Sequence, residues 1–372
     1  MLIGVPKEIK NHEYRVGLTP SAAKELICHG HQVIIETLAG SGIGIDDTIY
    51  EKNGVIIVDN SFEIYQKADL IVKVKEPQPN ECKLLREGQV LFAYLHLAPD
   101  ALQTELLMKS GCTAIAYETV TDAKGALPLL APMSEVAGRL SIQAGAHCME
   151  IGGGGAGILM GGVPGVAPAE VVVIGGGVVG SNAIRMGMGL GAHVTVLDNS
   201  NERMRNLNKE FGPHLNTVYS SINTIEEYTE KADLVIGAVL IPGATAPKIV
   251  SKKMVKRMKP GSVLVDVAID QGGCFETSIA TTHEKPTYTV DGIIHYCVAN
   301  MPGVVARTST FALNNATLPF IKTIANKGCR QALLDDNCLL EGLNIYDGQV
   351  TYKAVADALG YAYQSASSAL SN

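Results

Sequence analysis

A glycine-rich turn between two apolar segments is the first feature of the sequence that could do chemistry. Gly175, Gly177 and Gly180 form a Gly-x-Gly-x-x-Gly pattern directly after the β-branched run Glu170–Ile174. Such a turn lets backbone N–H groups and a helix N-terminus approach a pyrophosphate. The next apolar run ends at Asp198, and an acidic residue about 20 positions on accepts hydrogen bonds from ribose hydroxyls and repels a 2′-phosphate. The pattern predicts a dinucleotide site that favours NAD over NADP.

Three polar side chains at the ends of apolar runs could handle a small substrate. Lys75 and His96 each end such a run in the first third of the chain, and Asp270 follows another beyond the glycine turn. Ligands of doubly wound sheets bind beyond the carboxyl ends of the parallel strands. The positions of these residues are therefore informative in themselves.

Each side-chain type suits a different task. A strand-end lysine such as Lys75 can hold a carboxylate or carbonyl oxygen, and a histidine such as His96 can exchange a proton near neutral pH. Asp270 could accept a proton from an amine or from attacking water. The guanidinium of Arg15 can bind a carboxylate through two parallel hydrogen bonds. On residue type alone, a surface ion pair for Arg15, a lysine reaching water and a core histidine stay open as alternatives.

The segments that carry these residues predict two α/β units with mainly parallel sheets. In the first unit, apolar runs alternate with helical patterns over 19–29 and 100–110, and there is no glycine fingerprint. Its predicted strands are 2–5, 32–37, 55–58, 69–74, 90–95 and 113–117. Those of the second unit are 171–174, 194–197, 217–219, 234–239, 263–267 and 288–290.

The order of these segments predicts a divided first domain. A helix over 134–151, with Ser134 as its N-cap, is expected to link the units. A helix over 310–325 and a turn-and-strand over 346–352 are expected to return the chain to the first unit. The predicted fold is α/β, with two Rossmann-like doubly wound domains. The substrate domain comprises 1–130 and 307–372, the NAD-binding domain is inserted at 131–306, and substrate is expected between them.

Composition excludes several classes of function. A chain of 372 residues suggests two domains, and a net charge of −7 argues against a nucleic-acid partner. The eight cysteines have no metal-ligand spacing, so reduced thiols and no metal site are expected. Neither a signal peptide nor an apolar stretch of membrane-spanning length is present. We therefore expect a cytoplasmic enzyme without membrane partners.

Six segments, in order along nearly the whole chain, resemble the alanine dehydrogenase and pyridine nucleotide transhydrogenase family. Residues 3–8 with 13–20 resemble the start of that family. Segments 73–77, 92–98, 161–166 and 266–273 are similar to its alanine dehydrogenase branch, and 298–304 adds the sixth. The resemblance implies reversible oxidative deamination of L-alanine by NAD⁺ to pyruvate and ammonium, carried out by a homohexamer.

The resemblance also implies roles for individual residues. Arg15 and Lys75 would bind the substrate, and His96 and Asp270 would exchange protons, with the order of the proton steps left open. Beyond Val178 and Asp198, which follow from the fingerprint, Arg203 is expected over the adenine or ribose. Further NAD contacts are implied at Ser134, Ser220, Val239, Leu240, Val267, Ala268, Ile269, Asp270, Val298, Ala299, Asn300 and Met301. Ile279 stands where family members often carry a basic residue near the adenosine, which leaves cofactor affinity open.

Three other functions remain as alternatives. A transhydrogenase subunit shares the fold and binds NAD(H) without amino-acid chemistry. An opine- or saccharopine-forming dehydrogenase would need further cationic substrate contacts, which the sequence does not offer. The retained Lys75, His96 and Asp270 argue against the transhydrogenase subunit, and the retention of Arg15 together with them argues against a non-catalytic NAD-binding protein. Substrate breadth and the physiological direction stay open.

Overall fold

The computed structural model describes residues 1–239 and 246–371. The chain divides into two compact units, one of Met1–Met133 with Gly303–Asn372 and one of Ser134–Pro302. Its described strands are β1 Leu2–Val5, β2 Gln32–Glu36, β3 Ile56–Val58, β4 Leu70–Val72, β5 Val90–Ala93, β6 Thr113–Ala116, β7 Glu170–Ile174, β8 His193–Asp198, β9 Asn216–Tyr219, β10 Leu234–Gly237, β11 Val263–Asp266, β12 Thr287–Val290, β13 Ile293–Tyr296, β14 Leu343–Tyr346 and β15 Gln349–Val350.

Helices connect most of these strands. The described α-helices are α1 Pro20–Cys28, α2 Asp47–Lys52, α3 Ser61–Lys67, α4 Pro79–Cys82, α5 Ala101–Ser110, α6 Ala131–Met149, α7 Val178–Gly189, α8 Asn201–Phe211, α9 Ile222–Lys231, α10 Lys252–Val255, α11 Ala306–Lys327, α12 Cys329–Asp335, α13 Asn337–Leu340, α14 Lys353–Leu359 and α15 Ala366–Ser371. Within the described part of the chain, no helix is both long and apolar enough to cross a bilayer.

The sheet of the first unit has the order β15-β14-β6-β5-β4-β1-β2-β3. Strands β1 to β6 run parallel, and β14 pairs antiparallel with β6. The strand order reverses direction between β1 and β4, and loops leaving the carboxyl ends of strands at such a point form a crevice for ligands. Arg15 lies on the loop that follows β1, Lys75 on the loop that follows β4, and His96 on the loop that follows β5.

The sheet of the second unit has the order β12-β13-β11-β10-β7-β8-β9. Its parallel strands repeat the arrangement of the first unit, with the reversal between β7 and β10 and the glycine turn directly after β7. The inner strands are almost wholly buried, since helices cover both faces of such a sheet. The predicted α/β fold with two Rossmann-like doubly wound sheets is confirmed.

One local prediction, the helix N-cap at Ser134, was wrong. Helix α6 begins at Ala131, so Ser134 lies inside the helix and is not its N-cap. Pro132 explains the early start, because proline suits the first turn, where its missing N–H is not needed. The predicted strand 288–290 is present as the antiparallel edge strand β12, whereas β13, which lies between β12 and β11 and pairs parallel with β11, was missed. Asp291 and Gly292, with φ of 51° and 82°, form the tight hairpin turn between β12 and β13.

Candidate active site

Arg15 lies in the loop after β1 and is paired with a neighbour two residues away. Its Nε donates to Glu13 Oε1 at 2.7 Å, and its Nη2 donates to Glu13 Oε2 at 2.6 Å. Arg15 is 2% exposed and Glu13 is also buried. Burial opposes the charge, but the Glu13 carboxylate holds the pKa of Arg15 above its usual value. The guanidinium is therefore charged and held along one edge.

The loop after β4 carries two lysines with different surroundings. Lys73 is fully buried, and its Nζ lies 3.1 Å from Glu8 Oε2 and 2.9 Å from Glu81 Oε1. Lys75 is half-buried, and its backbone N–H donates to Glu8 Oε1 at 3.4 Å. Glu8 therefore ties the β1 loop to the segment that carries Lys75. The two ion pairs account for the charge of the buried Lys73.

His96 follows β5 and projects from a buried segment. Its side chain is 47% exposed, and its ring stacks on Tyr94 with centroids 5.9 Å apart and planes 8° apart. Burial raises the pKa of Tyr94 and the Arg15 charge opposes the rise, so Arg15 acts electrostatically on the residue that supports His96. The structure thus brings Arg15, Lys75 and His96 to one edge of the first sheet.

The glycine turn of the second unit has the close approaches that its pattern predicts. Gly175 has φ 97°, and a Cβ there would lie 2.7 Å from the Ala238 carbonyl oxygen. A Cβ on Gly180 would lie 1.9 Å from the Gly175 carbonyl oxygen, so only glycine lets α7 pack this closely. At Gly177 a Cβ would meet nothing within 4 Å. The space beside Gly177 is therefore available to a ligand.

Asp198, Arg203 and Ser220 gather beside this turn. Asp198 Oδ2 accepts from Gly176 N at 2.7 Å, and the Asp198 backbone carbonyl accepts from Ser220 N at 2.9 Å. Arg203 Nε donates to the Gly176 carbonyl at 2.5 Å, so this side chain lies against the glycine turn. Val178, the first residue of α7, is exposed there.

Asp270 lies on a 3-10 helix, Ile269–Gln271, that a buried carboxylate organises. Asp266, fully buried at the end of β11, accepts from the backbone N–H groups of Ala268 at 3.1 Å and Cys274 at 2.9 Å. Asp270 itself is exposed, and its Oδ1 accepts from Asn300 N at 3.2 Å. The predicted segments 267–270 and 298–301 are therefore joined at the same edge of the sheet.

The remaining predicted cofactor residues vary in placement. Val239 follows β10 and is half-buried, whereas Leu240 lies outside the described residues. Ser134 is half-buried within α6, and Ile279 is 66% exposed. Across residues 1–239 and 246–371, no group of three His, Cys, Asp or Glu side chains could hold a metal ion.

Four carboxylates of the site were missed from the sequence: Glu8, Glu13, Glu81 and Glu118. Glu118 follows β6 and accepts from the backbone N–H of His96 at 2.6 Å. The strand-end rule that singled out His96 applies equally to Glu118. Glu8 and Glu13 lie within the N-terminal segments that had already been singled out, but a carboxylate without a spacing pattern carries no signal of its own.

Comparison with known proteins gives matches along nearly the whole chain. Family models described as "Alanine dehydrogenase/PNT, N-terminal domain" and "Alanine dehydrogenase/PNT, C-terminal domain" match residues 4–137 and 141–353. An alanine dehydrogenase of Halomonas elongata is 58% identical over 368 residues, covering 99% of both chains. The alanine dehydrogenase of Bacillus subtilis is 53% identical over 371 residues, covering 100% of this chain and 98% of the relative.

Solved structures agree with the sequence matches. An L-alanine dehydrogenase structure superposes with a TM-score of 0.94 at 50% identity, covering 97% of this chain and 99% of its own. A transhydrogenase from Sinorhizobium meliloti has a TM-score of 0.82 at 25% identity, covering 95% and 100%.

Proposed function

Because the chain belongs to the alanine dehydrogenase/PNT family, we propose that it catalyses the NAD-dependent, reversible oxidative deamination of L-alanine. Alanine, NAD⁺ and water give pyruvate, ammonium, NADH and a proton. The observation that carries the proposal is the gathering of Arg15, Lys75 and His96 at the carboxyl edge of one sheet. It occurs in a chain that is 50–58% identical to alanine dehydrogenases along its length.

The second unit fits a dinucleotide. The open space at Gly177 suits a pyrophosphate, the exposed start of α7 supplies backbone N–H groups, and Asp198 supplies acceptors for ribose hydroxyls. Arg203, Ser220, Val267–Asp270 and Val298–Met301 complete the proposed contacts, together with Ser134, Val239 and Leu240. When bound, NAD⁺ accepts the hydride from the substrate α-carbon. NAD binding is assigned to 131–306 and substrate binding to 1–130 with 307–372.

The polar residues have separate proposed roles. Arg15 holds the substrate carboxylate, and Lys75 holds that carboxylate or the carbonyl oxygen of pyruvate. These contacts fix the position of the reacting carbon and lower the entropic part of the activation barrier. His96 and Asp270 exchange the protons of imine hydrolysis, in which water adds to the substrate iminium and the carbinolamine releases ammonium. A homohexamer in the cytoplasm completes the proposal, on the strength of the family membership.

The test is NADH formation by the purified full-length chain. L-Alanine is compared with glycine, L-serine and L-lysine, and NADP⁺ replaces NAD⁺ as the cofactor control. An absence of alanine-dependent NAD⁺ reduction in folded protein contradicts the proposal. Hydride transfer from NADH to a NADP⁺ analogue without any amino acid would instead support a transhydrogenase role, whose solved example is the more distant relative at 25% identity.

Two variants test the assignment of the proton-exchanging residues. His96→Ala and Asp270→Asn are expected to lose turnover, and in His96→Ala, which removes no proposed NAD contact, the affinity for NADH, measured by fluorescence titration, is expected to stay unchanged. Removal of a positioned acid or base costs about 10²–10⁴-fold in rate. Near-wild-type turnover in either variant contradicts that residue's role.

A further inference from the structure

The backbone at His96 has an uncommon conformation. His96 has φ 49°, in the left-handed region that residues other than glycine seldom adopt. Its neighbours Leu95 and Leu97 are buried, at 0% and 2% exposure. The Leu95 carbonyl also accepts from Gln103 Nε2 at 3.1 Å. The left-handed backbone at His96 therefore directs the imidazole toward the surface, while the side chains of Leu95 and Leu97 on either side stay buried.

Glu118 holds this turn through its carboxylate. Oε1 accepts from the His96 backbone N–H at 2.6 Å, and both oxygens lie 3.2 Å from the Leu95 backbone nitrogen. Two successive N–H groups that converge on one anion form a nest, and the negative charge favours the turn that creates it. Without Glu118, these two donors beyond the end of β5 would lose their acceptor.

The same carboxylate also faces the imidazole ring. Glu118 Oε1 lies 3.9 Å from His96 Nδ1, and Tyr94 covers one face of the ring. The Tyr94 hydroxyl donates to the Leu129 carbonyl at 2.6 Å, which fixes the ring on which the imidazole rests. At 3.9 Å the carboxylate is beyond hydrogen-bond distance of Nδ1, so it acts on the ring as a nearby negative charge.

We propose that Glu118 is the positioning residue of His96. It holds the left-handed turn through two backbone N–H groups, which sets the direction in which the imidazole projects, and its carboxylate faces Nδ1 without touching the substrate itself. The inference rests on the proposed dehydrogenase function, in which His96 exchanges a proton. Glu118 therefore supports turnover rather than the binding of either substrate.

A matched control lies four residues further along the chain. Asp122 is also half-buried, and its Oδ1 accepts from the backbone N–H groups of Lys124 at 2.8 Å and Ala126 at 2.9 Å. Asp122→Ala thus removes a carboxylate with the same kind of backbone contacts from the same stretch of chain. It has no contact with His96 among the described interactions, so it measures the structural cost alone.

The experiment measures kcat, the KM for L-alanine, NADH affinity and thermal stability in Glu118→Ala, Glu118→Gln and Asp122→Ala. Misplacement of a catalytic group costs about 10²-fold, so kcat of Glu118→Ala is expected to fall by about that factor while KM and NADH affinity change less than about twofold. Glu118→Gln keeps an acceptor oxygen for both N–H groups and is expected to recover part of kcat. Asp122→Ala is expected to retain wild-type kcat.

A double variant separates an action through His96 from an independent one. If Glu118 acts through the imidazole, Glu118→Ala should cost little further activity in the His96→Ala background, because the two losses are then not additive. Additive losses overturn the proposal, as does a Glu118→Ala that keeps wild-type kcat or raises only KM. If Glu118→Ala does not fold, Glu118→Gln decides, and wild-type kcat in that variant overturns the proposal. An inactive wild type contradicts the dehydrogenase function instead.

Discussion

Glu13 occupies one whole edge of the Arg15 guanidinium, with Oε1 2.7 Å from Nε and Oε2 2.6 Å from Nη2. A substrate carboxylate cannot bind along that edge. From the residue type alone, we had expected the Arg15 guanidinium to bind the substrate carboxylate through two parallel hydrogen bonds. Arg15 Nη1 in turn lies 3.0 Å from Met133 Sδ, so Glu13 and Met133 together set the plane of the guanidinium. Such preorganisation reduces the conformational freedom that binding would otherwise remove.

The first prediction concerns this buried pair. Glu13→Gln is expected to lower the free energy of unfolding by about 3–5 kcal/mol, because it removes the negative charge paired with a buried guanidinium. The KM for L-alanine is expected to rise, since the plane of Arg15 is no longer held. Denaturant unfolding and steady-state kinetics measure the two effects. Glu63→Gln, which breaks the exposed pair with Lys67, is the control and should change stability little. Equal effects of the two variants would contradict the prediction.

The second prediction is a pH dependence of stability that arises from Glu8. Burial raises the pKa of Glu8 above 4.5, although Lys73 opposes the rise. An acid whose pKa is raised by folding contributes stability that is full below about pH 4.5 and is lost as the pH rises through the folded-state value. Glu8→Gln cannot titrate, so its stability relative to wild type should increase across that window, by at most about 1.4 kcal/mol per pH unit. Denaturant midpoints between pH 4.5 and neutrality measure it.

Glu25 supplies a control of opposite sign for Glu8. This exposed carboxylate has a pKa lowered by its hydrogen bond and ion pair with Lys322. It therefore contributes stability that is present above its unfolded pKa and lost as the pH falls. Glu25→Gln should lose stability relative to wild type as the pH rises, whereas Glu8→Gln should gain it. The same trend in both variants would rule out the assignment to Glu8.

The third prediction separates the roles of three glycines. Gly177→Ala should fold with wild-type stability, since its Cβ meets nothing within 4 Å, but should lose NADH affinity because the methyl group fills the proposed pyrophosphate space. Gly180→Ala should destabilise the protein itself, through a Cβ 1.9 Å from the Gly175 carbonyl. Gly189→Ala, also with open space, is the control for both. Calorimetry and NADH titration distinguish the three, and unchanged NADH affinity in Gly177→Ala would place the cofactor elsewhere.

The fourth prediction concerns cofactor choice at Asp198. Asp198→Asn keeps an oxygen for Gly176 N but removes the charge that would repel a 2′-phosphate. The ratio of kcat/KM for NAD⁺ to that for NADP⁺ should fall by about tenfold or more, equivalent to about 1.4 kcal/mol. Alanine oxidation with each cofactor measures this ratio. An unchanged ratio would show that another residue discriminates against NADP⁺.

The sequence allowed much of the fold and part of the candidate site to be predicted. The run Leu2–Val5 and the turn at Gly175 have strong local patterns, because periodicity and glycine spacing directly reflect backbone geometry. The Glu118 contact with His96 spans 22 residues and the Glu8 contact with Lys73 spans 65. No rule of sequence spacing predicts either contact, because the two residues of each pair come together only in the folded chain. Strand β13 was missed because the Asp291-Gly292 turn that joins it to β12 resembles an ordinary loop in the sequence.

The pairing of β14 with β6 has a consequence for the order of synthesis. Leu343 pairs with Ile115, and Asn344 Nδ2 donates to Thr119 Oγ1 at 2.8 Å, on the same 3-10 helix as Glu118. The ribosome makes these tail residues only after the whole second unit has emerged. Until then β6 is an open sheet edge, able to pair with other chains. The first unit is therefore closed only after the second unit has been made, and the support for Glu118 forms at that late stage.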